Sequence, residues 1–241
     1  MTESPNPAFP ATRWSLVAAA ASDGPAASRA LEELCQAYWF PIYSYARRRG
    51  LSPADAEDQT QSFFAQLLEK GGLKFASPDK GRMRTFLLTA MQRSLANQRR
   101  HDGAIKRGGR AAIVSIDVEQ AEQQLERELA TDESPDRAFE RSWANAVVAS
   151  VHRRLEAYFS GSGQAKIFEK LSPYLAWGGG DQPYAEIAAK LGMSERAVRT
   201  AVHRMRARFR DFLVAEIRET VADPLEAKAE VDHLKQVLAG R

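Results

Sequence analysis

Cysteine is almost missing from this 241-residue chain, with Cys35 standing alone. One thiol excludes an internal disulfide and fits a reducing compartment. Cys35 falls on an apolar helical repeat, which makes it a core residue rather than a reactive thiol. Histidine is also scarce. His101, His152, His203 and His233 are scattered without metal-ligand spacing, so no metal or other cofactor is expected. Long apolar runs are lacking as well. Lys, Arg, Glu or Gln interrupts every candidate, so no membrane span is expected. The opening MTESPNPAFPATRW has no basic start followed by an apolar core, and no leader is expected there. There are no clustered carboxylates for metals, no phosphate-binding Gly-Lys motif and no nucleophile–base signature. The chain is therefore expected to have no catalytic residues and no enzymatic activity. An excess of charge of one sign is missing too: 34 Lys and Arg against 31 Asp and Glu leave a net +3. Any nucleic-acid signature must lie in how the charge is distributed.

That distribution is uneven. Tyr184–Arg210, YAEIAAKLGMSERAVRTAVHRMRARFR, reads as two short helices around a tight turn. Ile187, Ala188 and Leu191 form the apolar face of the first helix, and Gly192 supplies the stop. Ser194 caps the second helix, whose inner face is Val198, Ala201, Val202, Met205 and Phe209. This is the spacing of a DNA-binding helix-turn-helix. Arg196, Arg199, Thr200, His203, Arg204, Arg206, Arg208 and Arg210 fall on its outer face, suited to a major groove. A solvated basic hairpin is the plainer reading. Glycine, cap, core and one-sided arginines coinciding favour DNA.

The remaining chain reads as helices of period 3.6. Residues 1–25 form an N-terminal extension, with a short helix through Ala21 docked by Trp14. A helix over 26–49 carries Leu31, Leu34, Cys35, Tyr38, Trp39, Ile42, Tyr43 and Ala46 inward, and Pro41 within it should introduce a kink. Ser52-Pro53-Ala54-Asp55 opens the next helix, 53–70, which buries Phe63, Phe64, Leu67 and Leu68. Its outer face runs Asp55, Glu57, Asp58, then Gln59, Thr60, Gln61 and Ser62. A loop over 73–82 leads to a helix over 83–100, whose polar face holds Arg84, Gln92, Arg93, Asn97 and Arg100. Lys74, Phe75, Lys80 and Arg82 in that loop offer what single-stranded DNA needs, phosphate attraction and a ring for stacking. Residues 111–137 are acidic and read as a linker, partly helical or disordered. The second module, 138–220, opens with a helix beginning near Pro135 and contains the helix-turn-helix. A tail helix follows in 221–241. The fold class expected is all-α, two modules joined by an acidic linker.

Three segments taken together resemble the extracytoplasmic-function (ECF) sigma factors, promoter-specificity subunits of bacterial RNA polymerase. DAEDQTQSFFAQLLE (Asp55–Glu69) is similar to the family's polymerase-clamp-binding helix. RTFLLTAMQRSLANQRR (Arg84–Arg100) is similar to its promoter-melting helix, and the helix-turn-helix to its second DNA-binding module. The resemblance covers about 26–110 and 138–215. It implies a cytoplasmic, non-enzymatic protein whose partners are promoter DNA and core RNA polymerase, through the β′ clamp and the β subunit. It implies that Arg196, Arg199 and Thr200 approach bases of the upstream element while His203, Arg204 and Arg206 hold phosphates. It further implies that loop 73–82 and helix 83–100, with Lys74, Phe75, Lys80, Arg82, Arg93, Asn97 and Arg100, capture an unstacked base of the downstream element. Asp55, Glu57, Asp58 and Gln61 would meet the clamp, and the acidic linker would thread polymerase channels made for nucleic acid.

The sequence departs from that family at informative positions. Thr60 stands where a hydrophobic residue is common and Ser62 where an acid is. A phosphate on Thr60 would add about −1.5 to −2 charges to the docking face. Thr60 is therefore a candidate switch for a Ser/Thr kinase, as in a kinase-associated subgroup of the family. Gln92-Arg93, Asn97, Arg196 and Ala201 also differ from the family's usual residues, so base preference does not transfer. The alternative is a stand-alone helix-turn-helix regulator, which would bind duplex operators as a dimer with regular half-site spacing.

Overall fold

The computed structural model describes residues 14–20, 22, 25–69, 73, 76–77, 81–101, 118–128, 133–175, 182–221, 223 and 225–240. Among them every regular element is helical, so the protein is all-α. The helices are α1 (Trp14–Ala20), α2 (Pro25–Arg48), α3 (Pro53–Glu69), α4 (Met83–His101), α5 (Val118–Glu128), α6 (Pro135–Gly161), α7 (Ala165–Leu171), α8 (Tyr184–Leu191), α9 (Glu195–Arg218) and α10 (Glu226–Leu238). A 3₁₀ turn, Ser172–Leu175, follows α7.

Two compact units emerge, one of residues 1–147 and 217–241, the other of 148–216. The division differs from the expected one in two respects. The first half of α6 belongs with the first unit, because Ala138, Phe139, Trp143, Ala144 and Val147 carry the helix's apolar stripe into that core. The C-terminal tail belongs there too, because Ala227, Glu230 and Leu234 are buried on α10.

The first unit is organised around α2. Leu34, Cys35, Tyr38, Trp39, Ile42, Tyr43 and Ala46 are all buried, as their spacing predicts. Trp39 stacks on Tyr43 with centroids 4.7 Å apart, a packing contact and not a ligand box. Burial pushes the Cys35 thiol up to about 12, which leaves it protonated and inert. Pro41 lies inside α2, where its missing N–H removes one ladder bond. Ser52 caps α3, accepting from the Asp55 N–H at 3.2 Å and donating to its carboxylate at 2.6 Å. The Trp14 Nε1–H donates to the Thr220 carbonyl at 3.0 Å, tying α1 to the end of α9.

The expected linker is not wholly a tether. Its α5 buries Ala121 and Leu125 and is docked through Glu122. The Arg47 Nε and Nη2 donate to the two Glu122 oxygens at 2.8 and 2.9 Å, and the Tyr43 hydroxyl donates to Oε1 at 2.5 Å. The Arg47 hydrogen bonds hold the Glu122 carboxyl below the usual carboxylate range, while burial and Glu122 push the Tyr43 hydroxyl up.

The second unit has one core. Leu155, Phe159, Phe168, Leu171, Tyr174, Ile187, Ala188, Val198, Val202 and Met205 pack together, with Leu191, Met193 and Phe209 against them. α6, α7 and the 3₁₀ turn thus form the platform on which the α8–α9 pair stands.

Candidate nucleic-acid interface

In the second unit the α8–α9 pair is built as its sequence indicates. Gly192 ends α8 in the left-handed conformation, φ 64°, which costs a side chain-bearing residue strain and glycine none. The N–H of Met193 returns to the Ala188 carbonyl at 2.9 Å and that of Gly192 to Ala189 at 3.4 Å. Ser194 Oγ then accepts from the Ala197 N–H at 3.2 Å, so the next helix starts two residues after the turn. Val198 is fully buried and Ala188 nearly so, which brings the two helices close.

All the basic residues expected on the outer face of α9 are exposed: Arg196, Arg199, His203, Arg204, Arg206, Arg208 and Arg210. Their partners divide them. Arg196, His203 and Arg204 lie one turn apart along a single exposed strip with Thr200. The Thr200 hydroxyl donates to the Arg196 carbonyl at 3.0 Å, leaving its oxygen as an acceptor toward the outside. Arg199 donates to Glu195 at 3.1 and 2.5 Å, its guanidinium 5.2 Å from the Tyr184 ring centroid. That pairing holds it at the N-terminal end of α9, where base-contacting residues of a recognition helix sit. Arg206, expected to hold a phosphate, instead donates from Nε and Nη2 to the Tyr174 carbonyl at 3.0 and 2.8 Å. It fastens α9 to the 3₁₀ turn. Arg208 lies over the Tyr158 ring, 4.6 Å from its centroid.

Residues 180–209 match the family model described as Sigma-70, region 4.

That match, over the helix-turn-helix alone, supports a sigma-70-type factor and a DNA-binding role in transcription. No curated protein matches the chain, and no solved structure does. Among the described residues no helix is long and apolar enough to cross a membrane, and no three His, Cys, Asp or Glu residues are grouped to hold a metal ion.

In the first unit the expected strand-capturing residues are only partly placed. Lys74, Phe75 and Lys80 lie outside the described residues. Arg93 and Asn97 are exposed on α4 one turn apart, and α4 extends through Arg100. Arg82 is half-buried, with its Nε 2.9 Å from Glu230 Oε2 of α10.

Arg84 corrects the expectation of a polar outer position. It is only 4% exposed. Its Nε donates to Glu140 Oε2 at 2.8 Å, its Nη1 pairs with Glu230, and its guanidinium lies 4.0 Å from the Trp143 ring centroid. His233 Nε2 is 3.0 Å from the same Glu140 oxygen. The sequence does not reveal this cluster by charge alone, because a charged residue without a known partner reads as exposed. A signal existed: Arg84, Leu87, Met91 and Leu95 share one helical stripe, as do Ala227, Glu230 and Leu234.

On α3, Asp55 and Asp58 are exposed, and Glu57 and Gln61 are half-buried, joined by Gln61 Nε2 donating to Glu57 at 3.1 Å. These four share a face. Gln59 and Thr60 do not, which corrects their expected outward position. Gln59 is buried and donates to Ser94 of α4 at 2.9 Å. Thr60 is fully buried, its hydroxyl donating to the Ala56 carbonyl at 2.7 Å. The period explains the difference: Ala56, Thr60, Phe63, Phe64 and Leu67 form the continuous inner stripe.

Proposed function

We propose that this protein is a sigma factor of the extracytoplasmic-function type, which joins core RNA polymerase in the cytoplasm and directs it to promoters. The observation that carries the reading is the α8–α9 pair. Its turn, cap and core are those of a helix-turn-helix, its exposed strip is basic, and the same residues match Sigma-70 region 4. In this reading Arg196, Arg199 and Thr200 read base edges, while His203 and Arg204 meet phosphates. Arg93, Asn97 and Arg100 of α4 contact the opened strand, together with Lys74, Phe75, Lys80 and Arg82. Asp55, Glu57, Asp58 and Gln61 present a polar acidic face to the polymerase clamp. The polymerase itself supplies the bond chemistry.

Control by a kinase at Thr60 belongs to this reading only as a step that opens α3, because the hydroxyl is enclosed in the folded chain. A stand-alone regulator remains the alternative. Transcription in vitro with core polymerase over a promoter library separates the two. The sigma reading requires new start sites that depend on the added chain. Unchanged start sites, together with dimeric binding to duplex operators by the chain alone, would establish the alternative.

A further inference from the structure

The C-terminal helix places a carboxylate where the proposed strand-binding surface begins. Glu230 is fully buried, and the cations nearest it are Arg82, just before α4, and Arg84, in its first turn. The first turn of a 19-residue helix also favours an anion through its unpaired N–H groups. Arg84 does not depend on Glu230 for its position. Glu140 holds its Nε, and Trp143 lies under its plane. Arg82 and Arg84 thus form an anion site, of which the Arg84 half would keep its place without Glu230.

The occupant fits that site imperfectly. Arg82 Nε is 2.9 Å from Glu230 Oε2, but this buried oxygen receives no aligned hydrogen bond. The other attachments of α10 are modest. Its buried apolar residues are Ala227 and Leu234. His233 meets Glu140 at a half-exposed position, and Arg137 donates to the Gly240 carbonyl at 3.3 Å on the surface. Leu225, just before the helix, is 85% exposed and anchors nothing. A buried ion pair gains little over its hydrated partners, because both charges recover water when it opens. Release of α10 is therefore opposed chiefly by its apolar contact, in which half-buried Val231, Val237 and Leu238 join Ala227 and Leu234.

We propose that α10 is an internal ligand of the first unit. Glu230 occupies a two-arginine site whose external ligand is the phosphodiester backbone of a nucleic-acid strand, and the strand displaces the helix. The identity of the strand as promoter DNA rests on the proposed function. The competition does not.

The test uses the full chain and a fluorescent single-stranded oligonucleotide. Hydrogen exchange of residues 226–238 is measured with and without saturating oligonucleotide, which needs no variant. Exchange accelerates if the strand displaces α10. Unchanged or slower exchange overturns the proposal, because it would make α10 a fixed wall. Glu230→Gln and, at a separate anchor, Leu234→Ala should each tighten binding. The same two phosphate contacts form in the wild-type chain once α10 is displaced, so Glu230→Gln should raise affinity with little change in the salt slope. Adding Arg82→Gln to Glu230→Gln should remove one phosphate contact, so that raising salt from about 50 to about 200 mM weakens binding about 2.6-fold less. If neither loosened variant gains affinity, or the gain survives loss of Arg82, the site is not a phosphate site. Because transcription with core polymerase is scored separately, that failure leaves the proposed function standing.

Discussion

The clearest energetic prediction concerns Glu122, which docks α5. Replacing it by alanine removes the acceptor of the Tyr43 hydroxyl and both oxygens that meet Arg47. Tyr43 is fully buried, so its orphaned hydroxyl costs about 1–3 kcal/mol. The Arg47–Glu122 pair is about a quarter exposed on each side, so its share is discounted to about 1 kcal/mol. Glu122→Ala should therefore cost about 2–4 kcal/mol in urea melts followed by far-UV circular dichroism. Glu122→Gln keeps an amide oxygen for Tyr43 and loses only charge, so it should cost about 1 kcal/mol. In the alanine background, Tyr43→Phe should restore part of the loss, since it deletes the orphaned hydroxyl. Equal, small effects of the two Glu122 substitutions, with Tyr43→Phe simply additive, would falsify this account.

The same network fixes a pH window. The folded-state pKa of Glu122 is lowered, chiefly by the Arg47 hydrogen bonds. Its contribution is complete above the unfolded value of about 4.3 and disappears as pH falls through the lower folded value. That of Tyr43 is raised, chiefly by burial. Its contribution is complete below about 10 and is lost as pH rises beyond that. Stability attributable to this contact should be flat between those limits, and Glu122→Gln should flatten the acid limb.

Thr60→Glu should lower stability by about 3–5 kcal/mol in the same melts, because it places an unpaired charge at a fully buried position. Thr60→Val, which loses only the bond to Ala56, should cost no more than about 1 kcal/mol. Gly192→Ala meets no atom within 4 Å and pays only for its left-handed backbone, about 1–2 kcal/mol, read as a lowered thermal midpoint. Cys35, with its thiol pushed up to about 12, should resist alkylation at neutral pH until urea unfolds the chain, as mass spectrometry would show.

Much of this was legible in the sequence because apolar residues report their own faces. The α2 stripe, the Ser52 cap and the Gly192–Ser194 turn depend on residues within a turn or two of each other, and each is found as expected. The errors share one cause. A charged or hydroxyl residue on an apolar stripe reads as exposed unless its partner is known, and the partners of Arg84 lie 56 and 146 residues away. Thr60 satisfies itself through the Ala56 carbonyl four residues back, which frees it from water and lets it enter the core. The partners of α10 were illegible for the same reason, although its apolar residues mark it as a docking helix: Glu230 has meaning only beside Arg82 and Arg84.

α5 and α10 each add one carboxylate on arginine to their apolar contact with the first unit, yet these ion pairs should respond differently to salt. Glu122 and Arg47 are partly open to solvent, where ions screen them over a Debye length of about 10 Å at 0.1 M and about 3 Å at 1 M. Glu230 and Arg84 are enclosed, so mobile ions barely reach them while α10 is docked. Raising salt should therefore accelerate hydrogen exchange in 118–128 well before 226–238. A strand of nucleic acid differs from dissolved salt because its phosphates are tethered side by side at high local density. A polyanion held near Arg82 can take the place of Glu230 each time the helix opens, where dilute chloride cannot. If simple salt released both helices together, the buried pair would have to be solvated already, and the distinction between a screened latch and a competed one would fail.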